Sequence, residues 1–211
     1  MIDNSYSLTV NFKSSRQRIP LAALAATLLA TLLATLLVAG CSGGSAGNPD
    51  SRLSLQQATE PLSGAPPQLA EIRGQANQLL DGGKDAFDQR IQALKGTPIV
   101  VNDWASWCGP CRFEFPFLQS QASRHAKEIA FLGVDSDDSS GSAKTFLSEL
   151  PLPYPSYSDP DKSIRQALHG IGYPATVFYD RAGNVAYTHQ GQYRTEADLA
   201  AEIQRYALNS G

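Results

Sequence analysis

The sequence predicts an α/β fold, a central mixed β-sheet sandwiched by helices, with an export segment and a flexible tether ahead of it. Three observations carry that prediction. Short apolar runs such as Ile99-Val100-Val101 alternate with helical stretches, the pattern of strands buried beneath crossover helices. The last two strands are separated only by Asp180-Arg-Ala-Gly-Asn184, which is turn chemistry and makes them a hairpin. The chain has 211 residues, 42% hydrophobic and 18% charged, which suits one globular domain plus appendages and is too apolar for disorder throughout.

The first element is an address. Lys13, Arg16 and Arg18 precede a run over residues 19–38 built almost wholly of Leu, Ala and Thr. A basic region, an apolar region and then small residues is the layout of a secretory signal peptide, here residues 1–40. The run ends Val38-Ala39-Gly40-Cys41, which resembles a bacterial lipoprotein signal. That resemblance implies a cut before Cys41 and a diacylglycerol on its sulfur. An uncut transmembrane helix is the other reading, since 20 apolar residues can span a bilayer, although many Ala and Thr make it a weak span. A plain secreted form is the third. All place the domain outside the cytoplasm, and the first anchors it to the outer face of the cell membrane. Residues 41–68 are rich in Ser, Gly, Pro, Asn and Gln, too polar to offset their chain entropy, and are expected to form a lipidated flexible tether.

The domain is expected over residues 69–211. Residues 69–95 are mostly helical or irregular, with Phe87, Ile91 and Leu94 at helical spacing and Gly96 closing the segment. Ile99-Val100-Val101 then reads as a central strand. A helix follows from about Cys108 to His125, with Pro116 bending it. Residues 129–134 form the second buried strand, residues 135–142 a polar loop, and residues 144–150 a short helix stopped by Pro151 to Pro155. Another helix spans residues 161–169 with Asp161 at its start. The hairpin comprises residues 175–179 and 185–189, and Thr195-Glu-Ala-Asp198 opens a last helix over residues 196–208 as a capping box.

Charge narrows the function. Without residues 1–40 the chain keeps 14 basic and 19 acidic side chains, a net of −5. A polyanion would be repelled and no basic run follows Arg18, so nucleic-acid binding is not expected.

The chemistry lies in the cysteines. Of three, Cys41 directly follows the export segment, while Cys108 and Cys111 form a C-x-x-C pair where a strand hands over to a helix. The thiolate is the nucleophile, and the unpaired N–H groups at a helix start favour it on Cys108. Pro110 lacks an N–H and suits a first turn. Cys108, nearer the loop, is expected to be the exposed attacker and Cys111 to resolve the mixed disulfide. A zinc half-site would need two more ligands, yet there is no second C-x-x-C and His125, His169 and His189 are isolated. A structural disulfide across two residues would stabilise little. No metal or cofactor is expected.

The stretch Asn102-Asp-Trp-Ala-Ser-Trp-Cys-Gly-Pro-Cys-Arg112 resembles the thioredoxin superfamily signature. Phe113-Glu-Phe-Pro116 narrows the resemblance to the membrane-tethered TlpA/ResA-type extracytoplasmic thioredoxins, and Gly172-Tyr-Pro-Ala-Thr176 resembles their cis-proline loop. The resemblance covers residues 80–208. It implies the thioredoxin fold and a redox-active Cys108–Cys111 disulfide. It also implies a cis Pro174 facing the cysteines, with the Tyr173 backbone pairing to a bound substrate strand. Trp107, Gly109 and Pro110 frame the site, and Trp104 packs in the core. Glu114 is implied to be a partly buried acid beside the disulfide. Lying three residues after Cys111, it shares a helix face with it and is a candidate proton shuttle. Two positions depart from relatives. Asn102 stands where thioredoxin carries a buried aspartate. Asp103 stands where relatives are hydrophobic, so its charge must reach solvent or pair with a base such as Arg112.

The expected activity is that of an enzyme, a thiol–disulfide oxidoreductase acting as a monomer. It would reduce disulfides of exported proteins, as in cytochrome c maturation, and be recharged by a membrane-bound redox partner. An oxidase that donates its disulfide would use the same residues, because direction follows reduction potential, which spans about 150 mV between thioredoxin and DsbA. The Gly109-Pro110 dipeptide matches thioredoxin and favours reduction. A thiol peroxidase and a Cu(I) chaperone are lesser alternatives: Ala105 stands where a peroxidase carries Thr, and copper-delivery relatives space their cysteines by three.

Overall fold

The computed structural model describes residues 53–209; residues 1–40, Cys41 and the first part of the expected tether lie outside the described residues. The chain order begins α1 (Leu55–Thr59), α2 (Pro67–Gly74), β1 (Leu79–Leu80), α3 (Gly83–Ala93), β2 (Ile99–Trp104), α4 (Gly109–Arg124) and β3 (Ala130–Ser136). It continues α5 (Ser140–Glu149), β4 (Ser156–Asp159), α6 (Ser163–Ala167), β5 (Ala175–Tyr179), β6 (Val185–Gln190) and α7 (Glu196–Glu202), and closes in a π-helical segment, Ile203–Leu208. One mixed sheet runs β1-β4-β3-β2-β5-β6. Neighbours from β1 to β2 are parallel, and β2–β5 and β5–β6 are antiparallel. No helix among the described residues is long and apolar enough to cross a membrane.

β2 is central because it can be buried on both faces, and all six of its residues are. The two-residue strand period then aims its side chains alternately. Trp104 packs edge-on to Phe115 of α4 at 5.4 Å and stacks on Phe146 of α5 at 5.1 Å. Asn102 faces the same way, toward Glu114 of α4. Asp103 points oppositely, to Arg165 of α6, and on that face Tyr157 of β4 meets Phe87 of α3 at 5.6 Å. Helices therefore cover both faces of the sheet, which is the expected sandwich.

Gly133 of β3 sits between Asn102 and Ser156 in the ladder. A Cβ there would collide with the Ser156 hydroxyl and lie 3.0 Å from the Trp104 indole nitrogen. That bare backbone lets Trp104 Nε1 donate to Ser156 Oγ at 3.2 Å.

Five expectations need correction. The tether does not extend through residue 68. Ser54 caps α1 with a full capping box, and Ala58 is fully buried. Arg73 donates to the Gln57 and Glu60 carbonyls, while the Leu53 amide donates to Gln119. Polar residues become ordered here because the domain supplies their partners. Secondly, β1 and β4 are strands that the sequence reading placed in helix or loop. Thirdly, α6 is shorter than residues 161–169, and Asp161 shares its start with Asp159: Asp161 accepts from the Ser163 amide at 3.1 Å, and Asp159 from the Ile164 and Arg165 amides at 3.0 and 2.9 Å. Lastly, α5 starts four residues early, capped by Ser139, and the final helix widens to π geometry at Ile203.

Candidate active site

Cys108 is the N-cap residue of α4, with extended φ and ψ of −81° and 103°. Its sulfur accepts a hydrogen bond from the Cys111 amide at 3.1 Å, so one of the orphan donors of the helix start points at the Cys108 sulfur. A disulfide joins Cys108 to Cys111 with their Cα atoms 5.3 Å apart. Cys108 retains 4% exposure and Cys111 none, so Cys108 is the more accessible sulfur but far more covered than the sequence suggested. Gly109 and Pro110 form the first turn of α4. A Cβ on Gly109 would meet nothing within 4 Å, which leaves the site open on that side.

Glu114 is fully buried one turn beyond Cys111. Its Oε1 accepts from Asn102 Nδ2 at 3.1 Å and its Oε2 from the Tyr193 amide at 2.9 Å. Burial pushes its carboxyl up to about 7, the Tyr193 and Asn102 hydrogen bonds holding the rise back. A carboxyl in that range can give or take a proton at neutral pH. The Tyr193 side chain is itself fixed, its hydroxyl donating to Glu202 at 2.6 Å and its ring stacking on His189.

The CxxC loop is clamped by the loop after β3, a role that sequence reasoning missed. The Ser106 amide donates to Asp138 Oδ2 at 2.6 Å, and the Trp107 indole donates to the Asp137 carbonyl at 3.0 Å. The ring of Trp107 is more than half exposed and meets Tyr173 edge-on at 4.9 Å, which brings the Tyr173 loop to the disulfide. The Tyr173–Pro174 peptide bond is cis. Behind Asp138, Asp135 is buried with both carboxylate oxygens lacking a partner. Burial, then the Asp138 carboxyl, pushes it up to about 8.

Asp103 is a correction in its partner. It does not reach solvent and it does not pair with Arg112, which bridges to Glu149 on the surface. Instead its carboxylate pairs with Arg165 and accepts from the Ser136 hydroxyl. Burial raises its carboxyl above the ordinary range, opposed by Ser136 and by Arg165. Sequence spacing held no signal for Arg165, 62 positions away. Cys41 lies outside the described residues. Among the described residues no group of three or more His, Cys, Asp or Glu side chains could hold a metal.

A disulfide capping the helix that follows the central strand of a mixed sheet, with a cis-proline loop against it, defines a domain of thioredoxin fold. The chain belongs to the Redoxin family, which residues 68–203 match. It is similar to thioredoxin-like protein YneN of Bacillus subtilis, 29% identical over 48% of this chain and 61% of that one. It is also similar to thiol:disulfide interchange protein DsbE of Escherichia coli K12, 34% identical over 50% of this chain and 56% of that one. The matched region thus spans less than two thirds of either relative. Among solved structures, one described as a thiol:disulfide interchange protein DsbE from Chlorobium tepidum superposes with a TM-score of 0.52 at 28% identity, covering 55% of this chain and 84% of that one.

Proposed function

We propose that this chain is an extracytoplasmic thiol–disulfide oxidoreductase that reduces disulfides of exported proteins. The observation that carries the reading is the Cys108–Cys111 disulfide at the start of α4, with the Glu114 carboxyl buried one turn further on. In the reduced enzyme the Cys108 thiolate attacks one sulfur of the substrate disulfide. A mixed disulfide forms, and the departing substrate sulfur takes up a proton. The Cys111 thiol then passes its proton to the Glu114 carboxylate and attacks Cys108, which releases the second substrate thiolate. The substrate gains two electrons and the enzyme is left as its disulfide. A membrane-bound dithiol partner would restore the reduced form, and cytochrome c maturation is a pathway that needs such a reductant.

The membrane placement rests on residues 1–41. A signal of lipoprotein type, cleaved before Cys41, would tether the domain to the outer face of the membrane by lipid. The residues between Cys41 and Leu53, whose amide donates to Gln119, would be its leash.

Direction is decided by equilibrating the pair with defined thiol buffers. A potential near that of thioredoxin, about −270 mV, supports the reductase reading, and one near that of DsbA, about −120 mV, replaces it with an oxidase.

A further inference from the structure

The opposite sheet face from Glu114 holds an ionic network for which the exchange chemistry above has no use. The Asp103 side chain is fully buried and that of Arg165 is 8% exposed. One guanidinium nitrogen, Nη1, pairs with Asp103 Oδ2, and the other, Nη2, donates to the Gly172 carbonyl at 2.8 Å. The guanidinium carbon lies 3.7 Å from the centre of the Tyr173 ring, a cation–π contact. The loop rests directly on this pair, since a Cβ on Gly170 would come within 3.1 Å of both Arg165 Nη1 and Asp103 Oδ2. The far side is equally fixed. The Ser136 hydroxyl sits 2.7 Å from Asp103 Oδ1 and 3.1 Å from Asp159 Oδ2, and Asp159 holds the Arg165 amide.

Arg165 therefore links the central strand to the cis-proline loop, touching that loop at a carbonyl and at an aromatic face. The planar fork of arginine suits this double task, whereas a lysine ammonium cannot span two partners in fixed directions. The loop it supports presents features that suit an extended polypeptide. Among the described residues, no hydrogen bond engages the Tyr173 amide or carbonyl. Ile171, two residues before Tyr173, is 87% exposed, and Trp107, whose ring meets that of Tyr173, is 58% exposed. A small disulfide needs only the Cys108 sulfur, but a peptide chain needs the loop held at the right distance from it. Misplacement of a positioning element by about 1 Å costs up to about 100-fold.

We infer that Arg165, anchored by Asp103, is a positioning residue that holds residues 170–174 for docking of an extended peptide, and so favours polypeptide disulfides over small ones. The inference rests on the reading of Cys108–Cys111 as a thiol–disulfide exchange site. Its test compares second-order rate constants of the reduced full chain with a disulfide-bridged peptide and with hydroxyethyl disulfide. In the double variant Asp103→Leu/Arg165→Met, which removes both members of the buried ion pair together, the peptide rate falls by about tenfold or more while the small-disulfide rate stays within about twofold. Arg165→Lys keeps the charge without the fork and shifts the ratio in the same direction; if the double variant does not fold, this variant decides. A ratio unchanged from the unsubstituted protein, whether both rates fall together or neither moves, overturns the inference. Failure of the unsubstituted protein to react with either disulfide would instead overturn the oxidoreductase reading beneath it.

Discussion

The carboxyl buried between Asn102 and the Tyr193 amide holds its proton more tightly in the folded chain than in the unfolded one. A folded-state value raised to about 7, against 4.5 unfolded, makes the sign definite. The stabilisation is fully present below 4.5 and is lost as pH rises through 7. Glu114→Gln removes that loss, so between pH 4.5 and 7.5 the oxidised wild-type protein should lose about 3 kcal/mol more than the variant in urea unfolding. Parallel curves would mean that Glu114 titrates normally. Asp135 also titrates upward, but equally in both proteins, so the difference isolates Glu114. The position of Glu114 was legible because a helix puts residues 111 and 114 on one face. Its amide donor, Tyr193, was not, because it arrives from a loop 79 positions on. Asp103 was legible as an oddity only, since a buried charge announces that it needs a partner without saying which.

Among the strands, β2 and β3 were readable because burial on both faces demands a continuous apolar run. The sequence of β4, Ser-Tyr-Ser-Asp, has no such run. It becomes a strand by pairing with β3 and β1, and its Ser156 is chosen by what it meets, the Trp104 indole and the bare Gly133 backbone. Gly133→Ala tests that arrangement. The new methyl must push β4 or Trp104 aside, at a cost of about 1–3 kcal/mol that the urea midpoint would report. An unchanged midpoint would show that the ladder yields more easily than the contacts imply. The helix α1 was hidden for a related reason. Composition predicts order only when the partners are local, and those of Ser54 to Glu60 include Arg73 of α2.

At the scale of the whole molecule, the proposal is an exchange domain joined to an export segment by a leash. If Cys41 carries lipid, Cys41→Ser in cells should move the chain from the membrane fraction to the soluble one; retention would favour an uncut helix. The central claim is that Cys108 attacks and Cys111 resolves, and trapping tests it most directly. Reduced Cys111→Ala protein is mixed with a disulfide-bridged peptide, and adducts are located by mass spectrometry. The account predicts a stable mixed disulfide on Cys108 that the unsubstituted protein does not accumulate, and no adduct at either position in Cys108→Ala. Absence of the Cys108 adduct, or an equally fast one on Cys111 when Cys108 is removed, would contradict it.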